Sequence, residues 1–257
     1  MVKSCCDSYH TQFSDFSAML NYHEHVRKSS LWERTEVKKL QVAALDKTSP
    51  LYEDTDSFDP SVSRDAVEDT AENLKLAIKL RDKFFPLRDT AYKSLLDRAK
   101  IGGSALPKLS REKLADVINA CLALHKDSAL LLIRDEKVSA AHSGDSRDYS
   151  VLEIDQLLDG LQSKMDERFP GNQFSAGYVD HAITSASWTL PGQREELLDT
   201  YIKLLAAEGK SSMAAKLMPG IRFSTSDTGM ASAKVSALLV GLQYPIHIGG
   251  MIAVEHR

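Results

Sequence analysis

Two short stretches hold residues whose types and spacing suit contact with a polyanion. "LIRDEKVSAAHSGDSRDYSVL" carries Arg134, Lys137, Arg147 and Tyr149, and "GIRFSTSDTGMASAKV" carries Arg222, Ser224, Ser226 and Lys234. Guanidinium and ammonium groups beside hydroxyls can donate to phosphate oxygens, and a tyrosine ring can offer a base its face. The same residue types also build turns. Ser226-Asp227-Thr228-Gly229 places an aspartate that can bond its own backbone two residues ahead of a glycine that tolerates positive φ. The two readings are compatible, and the turn reading accounts better for the residue types.

Catalytic motifs are absent from the sequence. There is no G-x-S-x-G elbow, no G-x-x-x-x-G-K-[ST] phosphate loop and no G-x-G-x-x-G fingerprint. The paired glycines of "IGGSALPK" and "HIGG" read as a helix stop and a turn. "HEH", His23 to His25, lacks a third ligand at a recognisable spacing, and residues two apart diverge on a helix. Carboxylate pairs such as Asp166-Glu167 and Glu195-Glu196 lie on the solvated faces of helical patterns. No catalytic residue, metal or cofactor is therefore expected. Only a pocket gathering His142, Asp145, Asp227 and His247 would revive an enzymatic reading.

Bulk properties narrow the class. The chain has 257 residues, 43% hydrophobic and 26% charged, enough to bury a sizeable core. A net charge of -4 argues against a duplex-DNA reader held mainly by phosphate contacts, while leaving room for a local basic groove. Cys5, Cys6 and Cys121 form no spaced framework, so reduced thiols in the cytoplasm are expected. No apolar run approaches the length of a membrane span, and membrane partners are not expected.

The elements that must position these residues read as α+β. Residues 1–60 are polar and are expected to form an N-terminal arm or accessory region. Within it "SSLWERTEVKKLQVAALD" reads as a short helix, and Glu53, Asp54, Asp56 and Asp59 read as a solvated linker. Residues 61–257 are expected to form the core domain. Helices are predicted at "RDAVEDTAENLKLAIKLRDKFF", at "LRDTAYKSLLDRAKI" stopping at Gly102-Gly103, and at "SREKLADVINACLALHK" from Ser110. A hairpin turning at Asp135-Glu136 follows, then a helix over "SVLEIDQLLDGLQSKMDERF" and two strands in "QFSAGYVDHAITSASWTLPG". "QREELLDTYIKLLAAEG" reads as a regular helix closed by Gly209, and the last forty or so residues read as strand, loop, strand and a final strand "GGMIAVEHR". Helices followed by hairpins imply antiparallel pairing.

Three stretches resemble a phage- and plasmid-encoded family of unknown function, the one numbered nine hundred and thirty-two among such domains. "DEKVSAAHSGDSRDYSVLEIDQLLDGL" resembles its V-x-A-x-x-S-x-x-Y-x-x-L segment. "IRFSTSDTGMASAKVSALLVG" resembles its later strand and Ser/Asn-rich turn, and "LLDRAKIGGSALPKL" its helix and glycine turn. The likeness spans Leu87 to Arg257. "YPIHIGG" stands where the family often carries Cys-x-Asn-Gly, so no role tied to those residues transfers. The resemblance implies a mobile-element protein found near replication and recombination functions, and it supplies no catalytic residue. The resulting expectation is a non-enzymatic accessory protein of the host-cell cytoplasm, homo-oligomeric, that binds or anneals single-stranded DNA. Arg134, Lys137, Arg147, Tyr149, Arg222, Ser224, Ser226 and Lys234 would line its groove. The alternative is a virion component or a counter-defence factor that binds a host or phage protein.

Overall fold

Three antiparallel sheets and the helices between them make up residues 2–241 and, as backbone, 246–254, which the computed structural model describes. The α+β class expected from the hairpin pattern is the class observed. The largest sheet has six strands. It comprises β1 (His10–Phe13), β8 (Gln173–Asp180), β9 (Thr184–Thr189), β10 (Met218–Thr225), β11 (Ala233–Val240) and β12 (Ile246–Val254), neighbours in that order. A second sheet joins β2 (Leu31–Glu36), β6 (Ser128–Arg134) and β7 (Lys137–Ser143). A third joins β3 (Gln41–Ala44), β4 (Leu76–Leu80) and β5 (Lys83–Pro86).

Residues 1–60 are not a separate arm. β1 pairs with β8, β2 with β6 and β3 with β4, so this region supplies one strand to each sheet. Val37, Leu40 and Val42 accordingly sit in the same apolar cluster as Leu95, Leu114 and Leu131. The supposed helix in "SSLWERTEVKKLQVAALD" is β2 and β3 joined by one 3-10 turn at Val37–Lys39. The acidic stretch is also ordered. It forms α2 (Pro50–Glu53) and a 3-10 turn at Thr55–Ser57, with Tyr52 and Phe58 buried against Val67.

The helix expected from Arg64 to Phe85 ends early. α3 (Arg64–Glu72) is capped by Ser63, after which Lys75 turns left-handed at φ 63 and β4 begins. Leu76, Ala77, Ile78 and Leu80 are all buried, so β4 lacks the alternation of a half-exposed strand. A strand buried on both faces shows a continuous apolar run that periodicity cannot separate from a helix.

The remaining helices match their patterns. α4 (Asp89–Ala99) stops at a left-handed Lys100, two residues before the predicted Gly102, and α5 (Arg111–Leu122) starts at its Ser110 cap. α6 (Ile154–Arg168) and α7 (Arg194–Ala207) follow, then the single turn α8 (Ser211–Ala214). α4 and α5 cover the two smaller sheets, while α1 (Phe16–Ser29) and α6 cover one face of the large one. Met19, Leu158 and Met165 meet Ala186, Trp188 and Phe223 there. Burying a Trp and this many aliphatic side chains is worth about 1.5–3 kcal/mol for each large residue.

Candidate functional site

The β6–β7 hairpin turns through Asp135 at φ 49 and Glu136 at φ 68. Two successive left-handed residues make the two-residue turn whose twist matches that of paired strands. Its four charged residues, Arg134 to Lys137, stand at the junction of the sheets rather than at a rim.

Lys137 is fully buried, its ammonium 3.0 Å from Asp7 and 2.5 Å from Asp69. Arg134 forks onto Asp227 through Nη1–Oδ1 at 3.2 Å and Nη2–Oδ2 at 2.5 Å, and its Nε donates to Ser30 Oγ. The backbone N–H and hydroxyl of Ser63 both donate to Glu136, while Arg88 reaches Asp7 and the carbonyl of Ser4. Burial alone would push the Asp227 carboxyl up; the Arg134 guanidinium outweighs it and holds the group below its ordinary value. Arg134 and Lys137 are thus not polyanion ligands. A buried cation persists only where carboxylates compensate it, and these two cations are fully engaged in that way.

Tyr149 is also committed. Its ring lies on His142 with centroids 3.8 Å apart and planes 8° from parallel, and Trp32 leans on both rings at 6.0 Å. Tyr149 Oη and His142 Nε2 donate to the one backbone carbonyl of Asp227, at 3.1 and 2.9 Å. The carbonyl can only accept, which fixes the imidazole tautomer. Burial lowers the His142 pKa and raises that of Tyr149, so both are neutral near pH 7. Ser226, expected to face a phosphate, instead accepts the Met230 N–H at 3.0 Å and pairs with Thr228, closing the β10–β11 turn. Gly229 takes φ 76 there, and an added Cβ would stand 3.1 Å from His142 Cε1. A hollow of about 310 Å³ opens beside this turn, lined by His142, Tyr149, Leu152, Ser226, Gly229 and Ser232.

Arg147 stays at the surface, but it folds back on Asp145 at 2.6 Å and draws that carboxyl down to about 2. The acid–base set named from the sequence does not assemble: His142 meets the backbone of Asp227, Asp145 is taken by Arg147, and the side chain of His247 lies outside the described residues. Among the described residues, no cluster of three or more His, Cys, Asp or Glu could hold a metal, and no helix is long and apolar enough to cross a membrane.

Arg222, Ser224 and Lys234 do come together. Ser224 is opposite Lys234, and Arg222 opposite Ser236, in the β10–β11 register. Residues two apart on a strand share a face, so all four lie on the face opposite the side carrying Phe223 and Val235; Arg222, Ser224 and Lys234 are half-buried there, and Ser236 is buried. β9 continues these rows, with Ser185 opposite Ser224 and Ser187 opposite Arg222; the Arg222 Nε donates to Ser187 Oγ at 3.1 Å. Tyr178 of β8 stands beside Ser185, and His10 of β1 stacks on it at 6.1 Å. β9, β10 and β11 contain no aspartate or glutamate. Sequence reading missed Tyr178, Ser185 and Ser187; their signal was the alternation of hydroxyls with Ala and Trp in "TSASW". Comparison of the chain with protein-family models, curated proteins and solved structures returns no match.

Proposed function

We propose that this chain is a non-enzymatic protein that binds single-stranded nucleic acid across the face of its six-stranded sheet that carries Arg222 and Lys234. The observation that carries this reading is the charge of β9–β11. In a chain of net charge -4, these three adjacent strands carry Arg222 and Lys234, rows of serine, and no carboxylate. Cations and hydroxyls of that kind suit phosphate oxygens, and Tyr178 at the edge of the rows offers a stacking face for a base. The resemblance to a mobile-element family favours DNA over RNA and, with it, the cytoplasm of a host cell, a setting in which three free thiols persist. Annealing of two strands would be a further property of the same face.

A binding isotherm tests the reading. Lys234 facing a single strand contributes about 0.7 to the magnitude of the slope of log K against log salt. Fluorescence anisotropy with a labelled single-stranded oligonucleotide should return a negative slope, and Lys234→Gln should reduce its magnitude by about 0.7. Arg147→Gln, away from the sheet face, should leave it unchanged. Folded protein that binds no oligonucleotide at low salt refutes the proposal.

A further inference from the structure

α7 is amphipathic on two sides. One side packs Leu198, Ile202 and Leu205 onto Leu217 and Leu239 of the fold. On another, Leu197, Tyr201 and Leu204 are 53%, 46% and 60% exposed. Their spacing of four then three residues is that of a helix–helix seam. We infer that this seam is a contact between two copies of the chain, with their α7 helices antiparallel about a two-fold axis.

The charges along α7 specify that occupant. Glu196 and Lys203 lie along the same flank of the seam, with Thr200 between them, because seven residues make nearly two turns. Antiparallel pairing with Leu197 against Leu204 of the partner subunit brings Glu196 beside Lys203 of the partner subunit. The two-fold axis repeats the contact in reverse, so both ends of the seam close with opposite charges. Parallel pairing would turn the Glu196–Lys203 flank towards the flank of the partner helix that carries Leu198 and Leu205, leaving neither charge an opposite one. The antiparallel arrangement also opposes the helix dipoles. Lys203 now reaches only Asp199, four residues back at 2.8 Å, in an exposed pair that costs little to exchange. Three apolar residues per copy bury less than the roughly 1,000 Å² of a stable interface, so the pair forms at high micromolar concentration rather than low.

Sedimentation velocity of the full chain from low to high micromolar concentration tests this without oligonucleotide, and so independently of the nucleic-acid reading. The expected result is a concentration-dependent shift from one copy to two, abolished by Leu204→Glu. Glu196→Lys or Lys203→Glu alone spoils two symmetry-related contacts and should lower the association constant about tenfold. Glu196→Lys combined with Lys203→Glu in the same chain restores opposite charges and should recover most of it. These surface changes leave the fold intact, as circular dichroism would report. A single copy at every concentration, a dimer indifferent to Leu204→Glu, or a double reversal that fails to recover would each overturn the inference.

Discussion

Replacing Lys137 by methionine separates a residue that holds the molecule together from one that meets a ligand. The side chain is fully buried and its ammonium bridges Asp7 and Asp69. Methionine fills much of the same volume but leaves two carboxylates without that cation. Breaking a buried ion pair from one side costs about 3–5 kcal/mol. Two features favour the lower end. Asp7 keeps Arg88 at 3.0 Å, and Asp69 keeps the Asp7 backbone N–H at 3.0 Å. A loss of about 3 kcal/mol, divided by a urea slope of about 2–3 kcal/mol/M, moves the unfolding midpoint down by about 1–1.5 M. Adding Asp69→Asn to the same chain should recover part of the loss, because the orphaned charge is then gone. Arg147→Gln, an exposed change, should stay within about 0.5 kcal/mol of the starting protein. A Lys137→Met protein with an unchanged urea midpoint and no oligonucleotide binding would refute the reasoning and return Lys137 to the binding surface.

Two further outcomes follow from buried groups. Burial pushes His23 down from 6.5 to about 4 and, with Arg88 nearby, His181 to about 3, so both are neutral in the fold at neutral pH. The unfolded chain takes up protons first, so their stabilising contribution is complete above pH 6.5 and is lost as pH falls towards these folded values. His23 alone accounts for about 2 kcal/mol by pH 5, and a thermal midpoint that stays flat from about pH 7 to 5 would exclude it. Gly229→Ala should cost about 1–2 kcal/mol by urea denaturation, because an L residue must adopt φ 76 and set its Cβ 3.1 Å from His142 Cε1; an unchanged midpoint would show that the turn relaxes freely.

Features set by local rules were legible in the chain. The Asp135-Glu136 turn, the Ser110 cap, and the Ser226-to-Gly229 turn each depend on residues within a few positions, and each was found where expected. What escaped depends on distant partners. β2 and β3 are strands because β6 and β4 receive them, a fact that no window over "SSLWERTEVKKLQVAALD" contains. Lys137 looked like a surface cation because Asp7 and Asp69 lie 130 and 68 residues away. Arg134 misled for the same reason, its partner Asp227 being 93 residues distant. Arg222, Ser224 and Lys234 lie on one face because one hairpin carries all three and alternation sets that face.

The stitching of the first strands into later ones also bears on how the chain is made. Phe13 is opposite Gly177, so β1 leaves the ribosome about 160 residues before the strand it joins. At about 5–20 residues per second, that interval is roughly ten to thirty seconds. Leu31 waits in the same way for Ile133. Until those partners emerge, the nascent chain therefore carries strand-forming segments with open hydrogen-bonding edges. Charged side chains on such segments, among them Glu33, Arg34 and Glu36 of β2, disfavour edge-to-edge pairing with other chains until the rest arrives.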